Sequence, residues 1–355
     1  MKLKKLYMIG LLFVLLLLAA CGNSGNSEGA TSEEKLTIMT SIYPLYDFTS
    51  KIAGDRAEVI NLVPAGAEPH DFEPTPKDMT TLSKSDLFIY NGSGFETWID
   101  DVLSSVDQEN MSVLNVTDNL DLLTLAETGG SIEHHHDHGE EATEEHDHDE
   151  HAEESDDDEH ADETGEEHSH DEHEHAHAGE YDPHVWLDPM QAKNIAETIK
   201  VELVKVDPDG KEVYEQNYTA LASELDQLDE EYSTVLSNAV QKDLIVSHAA
   251  FGYLTHRYNL NQISISGLSP SAEPSPQELL EIINFAKENN VQYILFETLV
   301  NPKVAQTVQE KVGAEALTLN PLEGLTKEDL DAGKDYFSVM RENLKTLKIS
   351  TGSES

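Results

Sequence analysis

The sequence has almost no cysteine, because Cys21 is the only one among 355 residues. This excludes intrachain disulfides and thiolate clusters, so a bound metal would be held by nitrogen and oxygen ligands. Basic residues are also scarce: the chain has 22 Lys and Arg against 70 Asp and Glu. No Lys or Arg lies between Lys84 and Lys193. The net charge of −48 repels nucleic acid and attracts cations. We therefore expect no nucleic-acid partner.

Long apolar runs are absent except for residues 6–20, which follow three lysines at the N-terminus. The run is short for a membrane span and has the order of a secretory signal. Its end, L-A-A-C, resembles a bacterial lipobox, which predicts a signal peptide over 1–20 and a lipid on Cys21. Residues 21–34 are rich in Gly, Ser and Asn and predict a flexible tether to the outer face of the cell membrane. An ordinary signal with an incidental cysteine is the alternative.

Histidine is concentrated in one place, since 13 of the 17 lie between His134 and His177, in a tract otherwise made mostly of Asp and Glu. Imidazole is the commonest metal-binding side chain, and such a tract has no apolar face from which to build a core. We predict a disordered, metal-attracting loop over residues 133–180; a merely solvated acidic segment is the alternative. The candidate accessory ligands are His134, His135, His136, His138, His146, His148, His151, His173, His175 and His177.

Around this tract, short apolar runs alternate with helical patterns. Strands are predicted at 36–39, 58–63, 87–90, 113–116, 244–247, 262–266, 292–296 and 316–319. Helices are predicted at 45–53, 76–82, 95–103, 250–258, 276–288, 301–312 and 326–347. Strands that alternate with helices predict an α/β fold with mostly parallel sheets, built as two βα-repeat lobes.

One apolar stripe has helical spacing over eight positions. Its members are Tyr214, Tyr218, Leu221, Leu225, Leu228, Tyr232, Val235 and Ala239. Spacings of three and four predict one long helix at 209–240. We interpret it as the link between an N-terminal lobe at 35–208 and a C-terminal lobe at 241–355; a separate coiled coil is the alternative.

Three of the remaining four histidines lie in loops bounded by prolines or predicted strands. His70 and His184 follow Pro69 and Pro183, and His248 follows the predicted strand at 244–247. Glu297 has the same relation to the strand at 292–296. Carboxyl ends of parallel strands form binding sites, and three imidazoles with one carboxylate would make a closed tetrahedral site suited to Zn²⁺.

Each of these four residues also has a simpler interpretation. A histidine in a loop is often a surface or hydrogen-bonding residue, and Glu297 could be a salt-bridging acid. His256, on a predicted helix, is expected to be structural. Spacing alone leaves these alternatives open.

The same segments resemble the solute-binding lipoproteins of bacterial ABC metal importers, in the zinc/manganese class. The similar motifs are T-S-I-Y-P-L-Y from Thr40, E-P-H-D and P-T-P around His70, D-P-H-V-W-L around His184, S-H-A-A-F-G-Y-L around His248, and F-E at Glu297. They cover the chain from about residue 35 to the last helix, in family order. The resemblance implies two α/β lobes joined by one long helix, with the metal in the cleft between them.

The resemblance also implies a ligand set and a function. It makes His70, His184, His248 and Glu297 the ligands, although the fourth ligand varies in the family. Manganese-binding relatives tend to carry a carboxylate at the third position, so His248 favours Zn²⁺. We expect a monomeric, high-affinity zinc-binding component that delivers Zn²⁺ to the permease of an ABC importer.

Three other functions are weighed against this one. A manganese-specific importer component has the same fold. A surface zinc buffer or adhesin would act through the histidine tract alone. A zinc hydrolase is disfavoured, because the chain has no H-E-x-x-H motif and a closed site offers no position for activated water. We therefore do not expect an enzyme.

Overall fold

The computed structural model describes residues 35–106, 110–129, 180–300 and 303–353. The predictions for the signal peptide, Cys21, the tether and the ten accessory histidines lie outside the described residues. Among the described residues, no helix combines the length and apolar character that a membrane crossing requires.

The first half of the described chain builds a four-stranded sheet in the order β2-β1-β3-β4, with all neighbours parallel. Its elements are β1 (Leu36–Thr40), α1 (Tyr43–Ala53), β2 (Ala57–Asn61), α2 (Pro76–Leu82), β3 (Leu87–Tyr90), α3 (Ile99–Ser105), β4 (Ser112–Asn115) and α4 (Leu125–Thr128). The central strands β1 and β3 are mostly apolar and mostly buried, as parallel strands covered on both faces must be.

Two helices follow, α5 (Pro189–Val206) and α6 (Lys211–Leu236). The second is the predicted long helix. It packs on α1 and α5, and its buried face carries Tyr214, Leu221, Leu225, Leu228 and Tyr232. The apolar stripe in the sequence thus predicted both the helix and its buried side.

The second half repeats the architecture in a second parallel sheet, in the order β6-β5-β7-β8. Its elements are β5 (Asp243–Val246), α7 (Gly252–Arg257), β6 (Asn261–Ser264), α8 (Pro276–Glu288), β7 (Tyr293–Phe296), α9 (Lys303–Val312), β8 (Glu315–Thr318), α10 (Lys327–Asp331) and α11 (Tyr336–Ser350). Two parallel βα sheets and a long helix confirm the predicted fold class.

The last predicted helix, 326–347, is wrong in its continuity, because the structure has two helices there. Gly333 between them has φ +74°, a left-handed conformation that ends a helix. Asp335 then starts α11 by accepting a hydrogen bond from the Ser338 backbone N–H at 2.9 Å. Glycine is a signal for the end of a helix and aspartate a signal for its start, and both are visible in the sequence.

The described residues from Leu36 onward form one compact unit, and their largest buried cluster contains apolar side chains from both sheets. Helix α6 also contacts α11, where Tyr232 Oη donates a 2.6 Å hydrogen bond to the Met340 carbonyl. The division into lobes at residues 208 and 241 stays a prediction.

Candidate metal centre

Four titratable side chains from separate loops meet where the strands of the two sheets end. His70 lies in a short turn after β2, and His184 precedes another turn, Val185–Leu187. His248 lies two residues after β5, and Glu323 five residues after β8. Each half of the chain thus supplies two members of the group. No two members are neighbours in the sequence.

The geometry of this group converges on one carboxylate oxygen. The Nε2 atoms of His70, His184 and His248 lie 3.4, 3.3 and 3.1 Å from Glu323 Oε1. Four ligands about 2.0–2.1 Å from a tetrahedral zinc ion are roughly 3.3 Å from one another. The three measured distances match that edge, so the four side chains have the size and donor set to hold a metal ion.

The group is also shielded from water. The side chains of His184, His248 and Glu323 are at most 1% exposed, and that of His70 is 9% exposed. The Nε2 atoms of His70 and His184 are buried without an aligned hydrogen-bond partner. Buried polar atoms without partners are costly, and metal ligation would supply the missing partner.

Glu297, the acid predicted as the fourth ligand, lies outside this group of four side chains. It follows β7 directly, and its Oε1 lies 2.7 Å from Nδ1 of His248, on the side of the ring away from Glu323. The same oxygen accepts a hydrogen bond from Ser247 Oγ. Glu297 thus lies at the Nδ1 edge of His248, whereas Glu323 is the acid near all three Nε2 atoms.

Glu323 was not among the residues predicted from the sequence. It lies in the segment N-P-L-E-G-L after β8. Strand β8 is at the edge of its sheet, and its side chains are mostly exposed. The sequence signal for Glu323 was a single acid among apolar residues just beyond a strand, since an acid in such surroundings needs a partner. His256 is exposed and outside the group, as expected.

His184 has its own carboxylate partner close in sequence. Asp182 Oδ1 lies 2.8 Å from the Nδ1 atom of His184 and also accepts a 2.9 Å hydrogen bond from the His184 backbone N–H. Because an ionised carboxylate only accepts, Nδ1 carries the proton and Nε2 keeps the lone pair that a metal requires.

Buried charges shift the pKa values within the group. Burial alone would lower the pKa of His184, but Asp182 and Glu323 outweigh it and raise that pKa. For His248, Glu297 and Glu323 outweigh burial and raise the pKa well above its usual value. Burial opposes ionisation of Glu323, yet the three imidazoles hold its pKa well below the usual range. Protons therefore compete with a cation for these imidazoles.

A further acid lies at the edge of the group. Glu68 accepts a 3.2 Å hydrogen bond from the His70 backbone N–H. Burial, followed by the nearby charge of Glu323, raises the pKa of Glu68 to about 8. This carboxyl therefore takes up a proton at a higher pH than a solvent-exposed carboxyl does.

Hydrogen bonds to backbone carbonyls fix the loops that carry these side chains. The side-chain amide of Asn91, directly after β3, donates a 2.9 Å hydrogen bond to the Pro183 carbonyl. The Tyr43 backbone N–H lies 3.3 Å from the Glu323 carbonyl, and Gly66 N–H donates to the Leu325 carbonyl at 2.9 Å. The Glu323 loop, which belongs to the second half by sequence, is thus held by the first half.

Two parallel α/β sheets, a long helix and a buried three-histidine, one-carboxylate cluster define a two-sheet metal-binding protein of the solute-binding type. The chain matches the family model described as "ZnuA: Zinc-uptake complex component A periplasmic" over residues 38–349, and it belongs to this family. The resemblance stated from the sequence is confirmed.

Individual relatives agree with this assignment. The chain is 38% identical over 320 residues to "Zinc-binding protein AdcA" of Streptococcus pyogenes serotype M3, covering 90% of this chain but 57% of that protein. It is 40% identical over 336 residues to "High-affinity zinc uptake system protein ZnuA" of Bacillus subtilis, with 94% of both chains covered. The crystal structure of the Zn(II)-bound ZnuA-like domain of Streptococcus pneumoniae AdcA matches with a TM-score of 0.67 and 36% identity, covering 89% of this chain and 99% of that one.

Proposed function

We propose that this protein is the extracytoplasmic zinc-binding component of an ABC importer, and that His70, His184, His248 and Glu323 hold the ion. The observation that carries the proposal is the convergence of three imidazole Nε2 atoms on one carboxylate oxygen at 3.1–3.4 Å. The zinc-uptake names of the relatives support it.

The donor set favours zinc over manganese. Mn²⁺ prefers oxygen ligands in octahedral geometry, whereas three imidazoles and one carboxylate suit tetrahedral Zn²⁺. Four protein ligands leave no open position for an activated water, so the site binds and releases its ion without chemistry. Zinc is therefore cargo, and the protein is a carrier rather than an enzyme.

Delivery of the zinc ion requires a membrane attachment and a permease. In the proposed cycle, the lipid on Cys21 and the tether 21–34 keep the protein at the outer face of the cell membrane. The acidic histidine tract raises the local Zn²⁺ concentration, and the loaded protein docks on the permease as a monomer. The tract leaves the described chain at Gly129 and rejoins it at Glu180, whose carbonyl lies 3.3 Å from the Leu125 backbone N–H. Glu180 is thus bonded to the backbone of Leu125, four residues before Gly129, so a short connection can replace the tract.

The test is calorimetric titration of Zn²⁺ and Mn²⁺ into lipid-free protein from residue 22 onward that lacks residues 133–179. We expect one tight zinc site and little manganese binding. Glu323→Gln should weaken zinc binding strongly, because it removes the anionic ligand. Gln277→Glu, on the exposed start of α8, is the matched control and should leave affinity unchanged.

The outcomes separate the competing functions. No tight site in the shortened protein would make the tract the binder and favour the surface zinc buffer. Tighter binding of manganese than zinc would favour the manganese importer component. An unchanged affinity in Glu323→Gln would remove this residue from the site.

A further inference from the structure

Two loops that carry members of the metal group are joined by a single buried indole. Trp186 is two residues after His184, and Pro321 is two residues before Glu323. The Trp186 Nε1–H donates a 2.8 Å hydrogen bond to the Pro321 carbonyl. Since the two residues are 135 positions apart in sequence, this bond fixes a distance that local structure cannot fix.

The backbone of the same residue is bound from the second half as well. Tyr336, the first residue of α11, donates its hydroxyl to the Trp186 carbonyl at 2.6 Å. Trp186 and Tyr336 are both fully buried. The indole is thus held at its backbone and at its ring nitrogen, so it has little freedom to shift relative to the Glu323 loop.

The Glu323 loop needs such support because its backbone is strained. Leu322 has φ +59°, a left-handed conformation that is costly for a residue with a side chain. Asn320 Oδ1 accepts a 2.8 Å hydrogen bond from the Leu322 backbone N–H. A strained conformation persists only where surrounding contacts enforce it, and the bond from Trp186 reaches the residue between Asn320 and Leu322.

The indole also makes T-shaped ring contacts with one member of the metal group and with Phe95. Its ring centroid lies 5.4 Å from that of His184 and 5.3 Å from that of Phe95. Phe95 lies 4.5 Å from the His70 ring. One aromatic wall therefore backs two of the imidazoles while its polar edge holds the loop of the carboxylate.

The other tryptophan of the chain provides an internal comparison. Trp98 is also buried and packs on Phe72, two residues after His70, but its Nε1 has no hydrogen-bond partner. The chain thus contains one indole N–H that connects two ligand loops and one that connects nothing. The same substitution at both positions separates loss of ring size from loss of the connecting bond.

We infer that Trp186 is a positioning residue for metal binding: its N–H holds the Glu323 loop at the distance from His184 that ligation requires. The inference rests on the proposed function. Loss of the bond is expected to let Glu323 withdraw, leaving a three-histidine site of lower affinity. Supports around ligands of this kind are worth about 10–100-fold in metal affinity.

The test is a double-mutant cycle on the full chain with one equivalent of Zn²⁺, by competition with a chromophoric chelator. Trp186→Phe is expected to weaken binding about tenfold, and Trp98→Phe to leave it unchanged. In the Glu323→Gln background, Trp186→Phe should have no further effect, because the residue on which it acts is already gone. The histidine tract is identical in all variants, so its own zinc binding is the same background in each titration.

An equal loss with Trp186→Phe in both backgrounds, or no loss in the wild-type background, overturns the inference. If the metal-free melting curve shows that Trp186→Phe is unfolded, Tyr336→Phe is measured in the same cycle. It should give a smaller loss that also disappears with Glu323→Gln. Absence of tight zinc binding in the unsubstituted chain would instead contradict the proposed function itself.

Discussion

Two histidines of the metal group are each backed by a carboxylate, and the two arrangements differ in where that carboxylate comes from. The partner of His184 is Asp182, two residues earlier, which binds both its ring and its backbone N–H. The partner of His248 is Glu297, 49 residues later, at the end of a neighbouring strand. The first arrangement is local, whereas the second exists only once β5 and β7 pair.

The two arrangements also differ in the alignment of their hydrogen bonds. Asp182 and His184 make hydrogen bonds at both contacts, while His248 Nδ1 lies 2.7 Å from Glu297 without the alignment of a hydrogen bond. Glu297 divides its oxygen between the ring and Ser247. A partner supplied by a short motif therefore holds its ring more firmly than one supplied by sheet assembly.

The largest effect is expected from removing the rings themselves. His184→Ala and His248→Ala should each reduce zinc affinity at least about 100-fold, more than loss of either supporting carboxylate. Chelator competition measures both. His256→Ala is the matched control, because His256 is exposed and outside the group. A loss at His256 as large as at His184 would contradict the assignment.

An intermediate effect is expected from the carboxylates. Asp182→Asn and Glu297→Gln keep the size of the side chain and remove its charge. We expect losses of zinc affinity within about 10–100-fold, larger for Asp182→Asn because that side chain also orders the loop backbone. Calorimetry on the protein without residues 133–179 measures both. If Glu297→Gln matched the loss caused by Glu323→Gln, Glu297 would be a ligand rather than an orienting partner.

The smallest effect concerns the pH dependence of the metal-free protein. Glu297 and Glu323 raise the pKa of His248 above its unfolded value of about 6.5. The resulting stability is fully present below that value and is lost as pH rises through the raised pKa. Glu323 has a lowered pKa, so its contribution is lost only at acidic pH, outside this window.

Glu297→Gln removes part of the cause, so the melting temperature of the variant should fall less than that of the wild type as the pH rises above about 6.5. Thermal melts in the presence of a chelator measure the difference. The same raised pKa means that zinc affinity falls as pH decreases, because protons occupy the imidazoles. Parallel melting curves for the two proteins would show that Glu297 does not bear on the titration of His248.

Several features could be predicted from the sequence because they depend on neighbouring residues. Alternating strands and helices predicted both parallel sheets, and the stripe from Tyr214 onward predicted α6 with its buried face. The three ligand-type histidines stood out because each lies in a short motif next to a strand or a proline. Even the break before α11 had its signals in Gly333 and Asp335.

Only the tertiary structure showed that Glu323, and not Glu297, lies near the three imidazole Nε2 atoms. Both acids follow strands of the same sheet, and their sequence contexts give no measure of which side of His248 each one reaches. That depends on the order β5-β7-β8, on the left-handed Leu322, and on contacts from Tyr43 and Trp186 in the first half. The sequence determines which residues can ligate a metal, because that is a property of side-chain chemistry. Which of them meet is determined by contacts between distant segments, because those contacts set the distances between ligand atoms.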